Sequence, residues 1–260
     1  QLLWMYLKLG LPGGVMMSCE QGAFDITTAL AARLGPATVA AHSGLLNVVG
    51  LTFVSCPLAV GIAGSIRVGN LLGGGMPRTA RKAGWLCVAM GGVYMAVCAA
   101  VILGARHSIG RIFTHDAEVV AIMATLAPMC ALFQVCDGLM GTAQGVLRGC
   151  GRQLQLTLYN IFGFWVCGVL LGYLLCFKAN LGVVGLWWGI ASGDTVTAVL
   201  NLVTLALVVW PRESAKAHKR LTAAHHDSSV HSARASQEHG RRSASLDHSG
   251  QQGRGSRQQD

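Results

Sequence analysis

Ala83-Gly84-Trp85-Leu86-Cys87-Val88-Ala89-Met90-Gly91-Gly92-Val93-Tyr94-Met95-Ala96-Val97-Cys98-Ala99-Ala100-Val101-Ile102-Leu103-Gly104-Ala105 is a run of 23 residues without a charge. Wound as an α-helix it would reach about 34 Å, enough to cross the roughly 30 Å hydrocarbon core of a bilayer. Arg81-Lys82 stand directly before it and Arg106-His107 directly after it. An apolar run of this length between polar loops reads as a transmembrane helix.

Working outward, five more such runs can be placed. Upstream, one runs from Trp4 or Leu11 to Leu34, with Pro12-Gly13-Gly14 near its start, and one from Ala40 to Val68, with Pro57 as an expected kink. A glycine-rich basic loop, residues 69–82, should join the second run to the third. Downstream lie Val119–Val146, Leu154–Phe177 and Val183–Trp210, the last closed by Pro211. The expected fold is all-α: a polytopic membrane bundle of six transmembrane helices over residues 1–210. Residues 211–260 hold no aromatic residue and are dense in Ser, His, Arg and Gln, so they are expected to form a disordered basic tail. The sequence starts at Gln1, without a signal peptide, and is expected to be a fragment of a longer chain.

Charge sets the orientation. One set of alternate loops carries Lys8, Arg67, Arg78, Arg81, Lys82, Arg148, Arg152, Arg212, Lys216, Lys219 and Arg220. The other carries only Arg33, Arg106, Arg111 and Lys178. The richer side should be cytoplasmic, which puts both ends there, as an even number of spans requires. The net charge of +9 owes nine of its twenty cations to the tail. Without aromatic interleaving or a folded basic module, that tail points to anionic lipid rather than nucleic acid. The nine cysteines form no CxxC and are read as free thiols between helices, and the tail histidines lack metal-ligand spacing.

The acids inside the apolar runs carry the functional argument. An ionisable group near the bilayer centre costs roughly 2.5–3.5 kcal/mol on insertion scales and marks an ion or substrate path. Glu20 and Asp25 lie in the first run, five positions apart and so about 140° around an ideal helix. Asp137 lies in the fourth, with Gln134 and Gln144 along the same run. For Asp194, between Gly193 and Thr195 in the sixth, helix packing or a local hydrogen bond is an equal reading. Gly73-Gly74-Gly75 lacks the GxxxxGK[ST] pattern of a phosphate loop and reads as a hinge.

Three stretches resemble the multidrug and toxic compound extrusion (MATE) transporters. Residues 67–81, from Arg67-Val68-Gly69-Asn70 through Gly73 to Arg81, resemble that family's RVGNxLGAGxxxxAR. Gly145-Val146-Leu147-Arg148-Gly149-Cys150-Gly151-Arg152-Gln153 is similar to its GVLRGxGxQ, and Leu181-Gly182-Val183-Val184-Gly185-Leu186-Trp187-Trp188-Gly189 to its LGxxGLWxG. The resemblance implies the second six-helix lobe of a twelve-helix, two-lobe transporter, eukaryotic in type, whose first lobe would be the partner. It also implies no enzyme and no cofactor beyond a coupling ion. Family members are secondary antiporters that export organic cations and drugs against entering H⁺ or Na⁺. Glu20, Phe24-Asp25 and Asp137 match the family's acidic positions in the seventh and tenth helices, which makes Glu20, Asp25 and Asp137 the coupling and substrate residues. Gln134, Gln144 and Asn160 are cavity-lining candidates. Arg67, Gly69, Asn70, Gly73, Arg81, Arg148 and Gly149 are assigned a structural or hinge role.

Four features depart from the family. Gln21-Gly22 stand where it has bulky residues. Phe164-Trp165 replace a Tyr pair, and Gly168-Val169-Leu170 replace Gly-Leu-Pro. The acid of the eighth helix is missing near Asn47-Val48. The expected membrane is the plasma membrane or that of a vacuole or lysosome. Other readings are a lipid-linked saccharide flippase, whose cavity should be basic, and a non-transporting membrane subunit. An intramembrane aspartyl protease using Asp25 and Asp137 lacks its GxGD context here.

Overall fold

The structure, a computed structural model, describes residues 2–219. Most of the basic tail, residues 220–260, lies outside the described residues, as does the side chain of Lys8. Within the described residues the order is α1 (Leu2–Ala32), α2 (Pro36–Ser55), α3 (Pro57–Gly73), α4 (Pro77–Gly104), α5 (Ala117–Gly149), α6 (Gln153–Lys178) and α7 (Gly182–Ala206). A single 3₁₀ turn, Ile109–Ile112, sits between α4 and α5. Proline opens three of these helices, Pro36, Pro57 and Pro77, where its fixed φ suits the first turn and its missing N–H is not needed. Asp116 opens α5 by accepting a hydrogen bond from the Glu118 amide at 2.9 Å.

Among the described residues, five units are long and apolar enough to cross a membrane: α2 with α3 as one 38-residue span, then α4, α5, α6 and α7. α1 has the length for a sixth, 31 residues, but falls outside that set. Glu20, Gln21 and Asp25 are polar residues that interrupt its second half. Pro57 kinks the second run as expected, splitting it at Cys56 (φ −140°).

Three expectations need correction. The glycine-rich loop shrinks to Gly74, Gly75 and Met76, because α3 runs on to Gly73 and α4 starts at Pro77. Gly75 makes so short a turn with φ 72°, a left-handed backbone that costs glycine little. Arg67, Gly69, Asn70, Gly73 and Arg81 are thus helical residues. The last span ends at Ala206, not Trp210. The stretch from Pro211, expected to be disordered, begins helical: residues 210–219 form a further helix that buries Trp210, Glu213 and Ser214. Its Ser214 hydroxyl donates to the Leu72 carbonyl at the end of α3 (2.9 Å), and Arg152 at the start of α6 pairs with Glu213 at 2.8 Å.

α5 is the axis of the bundle, in contact with α2, α3, α4 and α7. Hydrocarbon tails are as apolar as leucine, so membrane helices associate through close packing of small residues. Gly141, Gly145 and Gly149 recur every fourth residue of α5. A Cβ on Gly145 would collide with the Gly61 carbonyl of α3, and one on Gly149 would lie 2.6 Å from the Ser65 carbonyl. α7 repeats the device against α6 with Gly185, Gly189 and Gly193. A Cβ on Gly193 would come within 2.5 Å of the Gly163 carbonyl.

Candidate coupling-ion site

α1, α5, α6 and α7 bring the polar residues of their apolar runs toward one another. Glu20, half-buried on α1, accepts a hydrogen bond from Asn160 Nδ2 at 3.3 Å. Asn160 Oδ1 accepts from Gln144 Nε2 at 2.7 Å, so α5, α6 and α1 are tied by one polar chain. Gln144 and Asn160 are buried, at 3% and 0% exposure, where an unpaired amide would be costly. Each therefore fixes the other, and Asn160 presents a donor to Glu20.

Asp137, 5% exposed, lies two turns before Gln144 on α5, within the field of Glu20 and facing Asp194 of α7. Arg148, one turn past Gln144, supplies the opposing charge: it interacts with Glu20, and its buried Nε has no hydrogen-bond partner among the described residues. Gln134 faces elsewhere, donating to Thr52 of α2 at 2.6 Å. Asp25 is exposed on α1. The 140° between it and Glu20 is kept, because α1 runs unbroken through Gly22.

α6 departs from α-helical winding beside this site. Ile161–Leu170 and Leu174–Lys178 are wound in the wider π manner, a form that often accompanies functional sites. Just past the start of the first π stretch, Trp165 donates its indole N–H to the Cys19 carbonyl of α1 at 3.0 Å. A Cβ on Gly22 would sit 3.5 Å from that ring. An alanine would fit there and an aromatic residue would not, so the small residue at 22 and the indole at 165 are complementary. Beside Glu20 rather than around it, an open cleft of about 600 Å³ runs along α1 past Gly10, Gly14, Ser18 and Cys19 to Trp165.

The MatE family model matches residues 12–174, well over half of the chain. The chain belongs to the MatE family. It is 36% identical over 216 residues to the multidrug resistance protein NorM of Burkholderia vietnamiensis, covering 79% of this chain and 46% of NorM. It is 31% identical to multidrug and toxin extrusion protein 1 of Oryctolagus cuniculus, covering 84% of this chain and 38% of that protein. Among solved structures it matches the eukaryotic MATE transporter AtDTX14 with a TM-score of 0.78 and 30% identity, over 83% of this chain and 48% of that one. The chain thus spans about half the length, or less, of the relatives it matches.

Within this MatE chain, the site residues expected from sequence divide clearly. Glu20, Asn160, Gln144 and Asp137 converge, whereas Asp25 and Gln134 do not. Gly69 and Gly149 meet at the α3–α5 crossing, where a Cβ on Gly149 would approach the Gly69 amide at 3.3 Å. That gives the two matching motifs a shared packing role. Asp194 is fully buried, and neither carboxylate oxygen has a hydrogen-bond partner among the described residues, so of the alternatives read from sequence the local hydrogen bond is not made. Asn201, two turns along the same face, is also buried, and neither amide atom has a hydrogen-bond partner among the described residues. The signal that could have flagged them was present: Asp194, Thr197 and Asn201 form the same kind of polar stripe as Gln134, Asp137 and Gln144.

Proposed function

We propose that this chain is one lobe of a cation-coupled antiporter that exports organic cations, drugs or other xenobiotics in exchange for H⁺, with Na⁺ as the other candidate ion. The observation that carries the reading is the polar chain Gln144–Asn160–Glu20 inside a membrane bundle, with Asp137 and Arg148 acting on the same carboxylate. The names of the relatives, which speak of multidrug resistance and toxin extrusion, support the substrate class.

Glu20 is the group that exchanges ion for substrate. Charged, it is held by the Asn160 N–H and the field of Arg148, and it attracts a cation arriving through the cleft along α1. Neutralised by a proton, it loses most of that attraction, and α1 is freer to move against α6. Such a switch works only if ion and substrate bind the two arrangements with different affinities. Asp137 raises the negative potential at Glu20, and Asp25 adds negative charge farther along α1. The partner is a first lobe that completes the cavity wall. Both ends of this chain face the cytoplasm, in the plasma membrane or a vacuolar or lysosomal membrane.

The test is efflux of a fluorescent organic cation from proteoliposomes containing the whole protein that carries this chain, under an imposed pH gradient and, separately, a Na⁺ gradient. Glu20→Gln should reduce gradient-driven efflux at least tenfold. Full efflux by that variant under both gradients would sink the carrier role of Glu20.

A further inference from the structure

Asp194 is a buried ionisable group that the transport reading does not use. It lies midway along α7, at 0% exposure, with both carboxylate oxygens unpartnered. A carboxylate taken out of water without a donor or a counter-charge is among the most expensive groups a fold can bury, and such groups are neutralised or bind a cation. The usual compensations are missing. The neighbouring hydroxyl of Thr195 donates to the Ala191 carbonyl at 2.6 Å and toward Cys136 Sγ at 3.3 Å. Thr197, one turn on, donates to Gly193.

The titratable groups that face Asp194 are Asp137 and Cys136 from α5 and Glu20 from α1. α6, packed on the same side through Gly163 and Gly168, contributes backbone, and among the described residues no lysine, arginine or histidine acts on Asp194. The carboxylates nearby are therefore all of the same sign as Asp194. A buried carboxyl group among such neighbours, without a partner of its own among the described residues, calls for a proton or a cation. Glu20 differs, since it has Asn160 as a donor and Arg148 as a counter-charge.

We propose that Asp194 forms a second position for a small monovalent cation, H⁺ or Na⁺, where α7 packs on α5, next to the position that Glu20 and Asp137 share. The proposal rests on the transport reading for its purpose, but ion occupancy can be measured without transport. The lobe would then hold one coupling ion at the α1–α6 edge and another at its centre. The inner ion would neutralise the α5–α7 contact, and its departure would set two negative charges against each other there.

Infrared difference spectroscopy on the whole protein in liposomes, without substrate, reads this directly. One arm steps the pH in Na⁺-free buffer, and the other adds NaCl at fixed pH. Among the carboxyl signals that respond to the ion in wild type, one should depend on Glu20 and another on Asp194. Glu20→Gln should remove one and keep the other, while Asp194→Asn should remove the second. A response confined to the pH arm assigns H⁺, and one in the NaCl arm assigns Na⁺. If Asp194→Asn misfolds, Asp194→Glu keeps the acid and should shift the second signal rather than delete it. Spectra of Asp194→Asn that match wild type in both arms, or of Asp194→Glu that show no shift, overturn the proposal. Normal efflux by Glu20→Gln together with loss of the second signal in Asp194→Asn would separate failure of the carrier reading from failure of this one.

Discussion

α5 is in contact with α2, α3, α4 and α7, whereas α1 touches mainly α2 and α6 along one side. Both helices carry acids within apolar runs, and the two settings treat them differently. On α5, Asp137 is 5% exposed and lies among residues that are nearly all buried from Phe133 to Leu147. On α1, Glu20 is half-buried and Asp25 is exposed. The energetic argument against a charge in hydrocarbon applied equally to all three. What separates them is whether the surrounding helices leave the group a partner, a cavity or open surface. The centre is rigid because glycine lets backbones touch, and the edge is held by a few polar bonds across a helix wound in an unusual way.

That contrast breaks most visibly at glycine. Gly145→Leu should force the α3–α5 crossing apart, because even a Cβ there meets the Gly61 carbonyl. Overpacking typically costs about 1–3 kcal/mol and at a backbone contact more, so little monodisperse protein is expected on size-exclusion chromatography. Gly10→Leu at the edge has nothing within 4 Å and should leave the elution profile unchanged. Equal profiles for the two variants would mean that the centre is not close-packed.

Asn160→Ala removes the donor that links centre to edge. Glu20 and Gln144 both lose their partner, and a drop of severalfold in gradient-driven efflux is expected with the protein still folded. Glu20→Gln should abolish coupling more completely, while Asp25→Asn should change efflux less than either. An Asp25→Asn effect equal to that of Glu20→Gln would erase the distinction drawn between the two acids of α1.

Trp165→Phe keeps an aromatic ring beside Gly22 but drops the indole N–H that reaches the Cys19 carbonyl. A loss of about 1 kcal/mol, seen as a fall of a few degrees in Tm, is expected from one hydrogen bond. Gly22→Phe should be worse, since a second ring would have to occupy the same space.

The smallest effect concerns the helix at residues 210–219. Burial pushes the Glu213 carboxyl up, but hydrogen bonds from Arg152 and Lys216 and their charges more than offset this, holding it below its usual 4.5. A carboxylate depressed in the folded state stabilises docking above the unfolded value, and that contribution is lost as pH falls through the folded one. Hydrogen-exchange protection of this helix, corrected for intrinsic rate, should therefore weaken as the pH drops below about 4.5. Glu213→Gln should show less protection at neutral pH and a flatter pH response.

Much of this was legible in sequence. Length and apolarity placed the six runs, because a bilayer demands about 20 apolar residues from any helix that crosses it. The cost of intramembrane charge picked out Glu20, and Asp137 followed by the same rule. Pro57 announced its kink. The stretch from Gly69 to Lys82 was misread as a loop for a physical reason: glycine signals both a flexible turn and a close helix contact, and only a neighbouring helix distinguishes the two. Helix was likewise hidden after Trp210. A segment rich in Arg, Lys and Ala buries little by itself, and it is the Leu72 carbonyl and Arg152 that give residues 210–219 somewhere to dock.

The sequence by itself determined that this is a membrane helix bundle, and it named the acids whose burial would need an explanation. Only the tertiary structure decided which acids meet. Periodicity gives a direction around one helix axis, while the distance between Glu20 and Asn160, 140 residues apart, depends on how glycine-lined crossings set the helices against one another. The same packing leaves Asp194 without a hydrogen-bond partner among the described residues, and the sequence of α7 alone could not say whether a donor waited on α5 or α6.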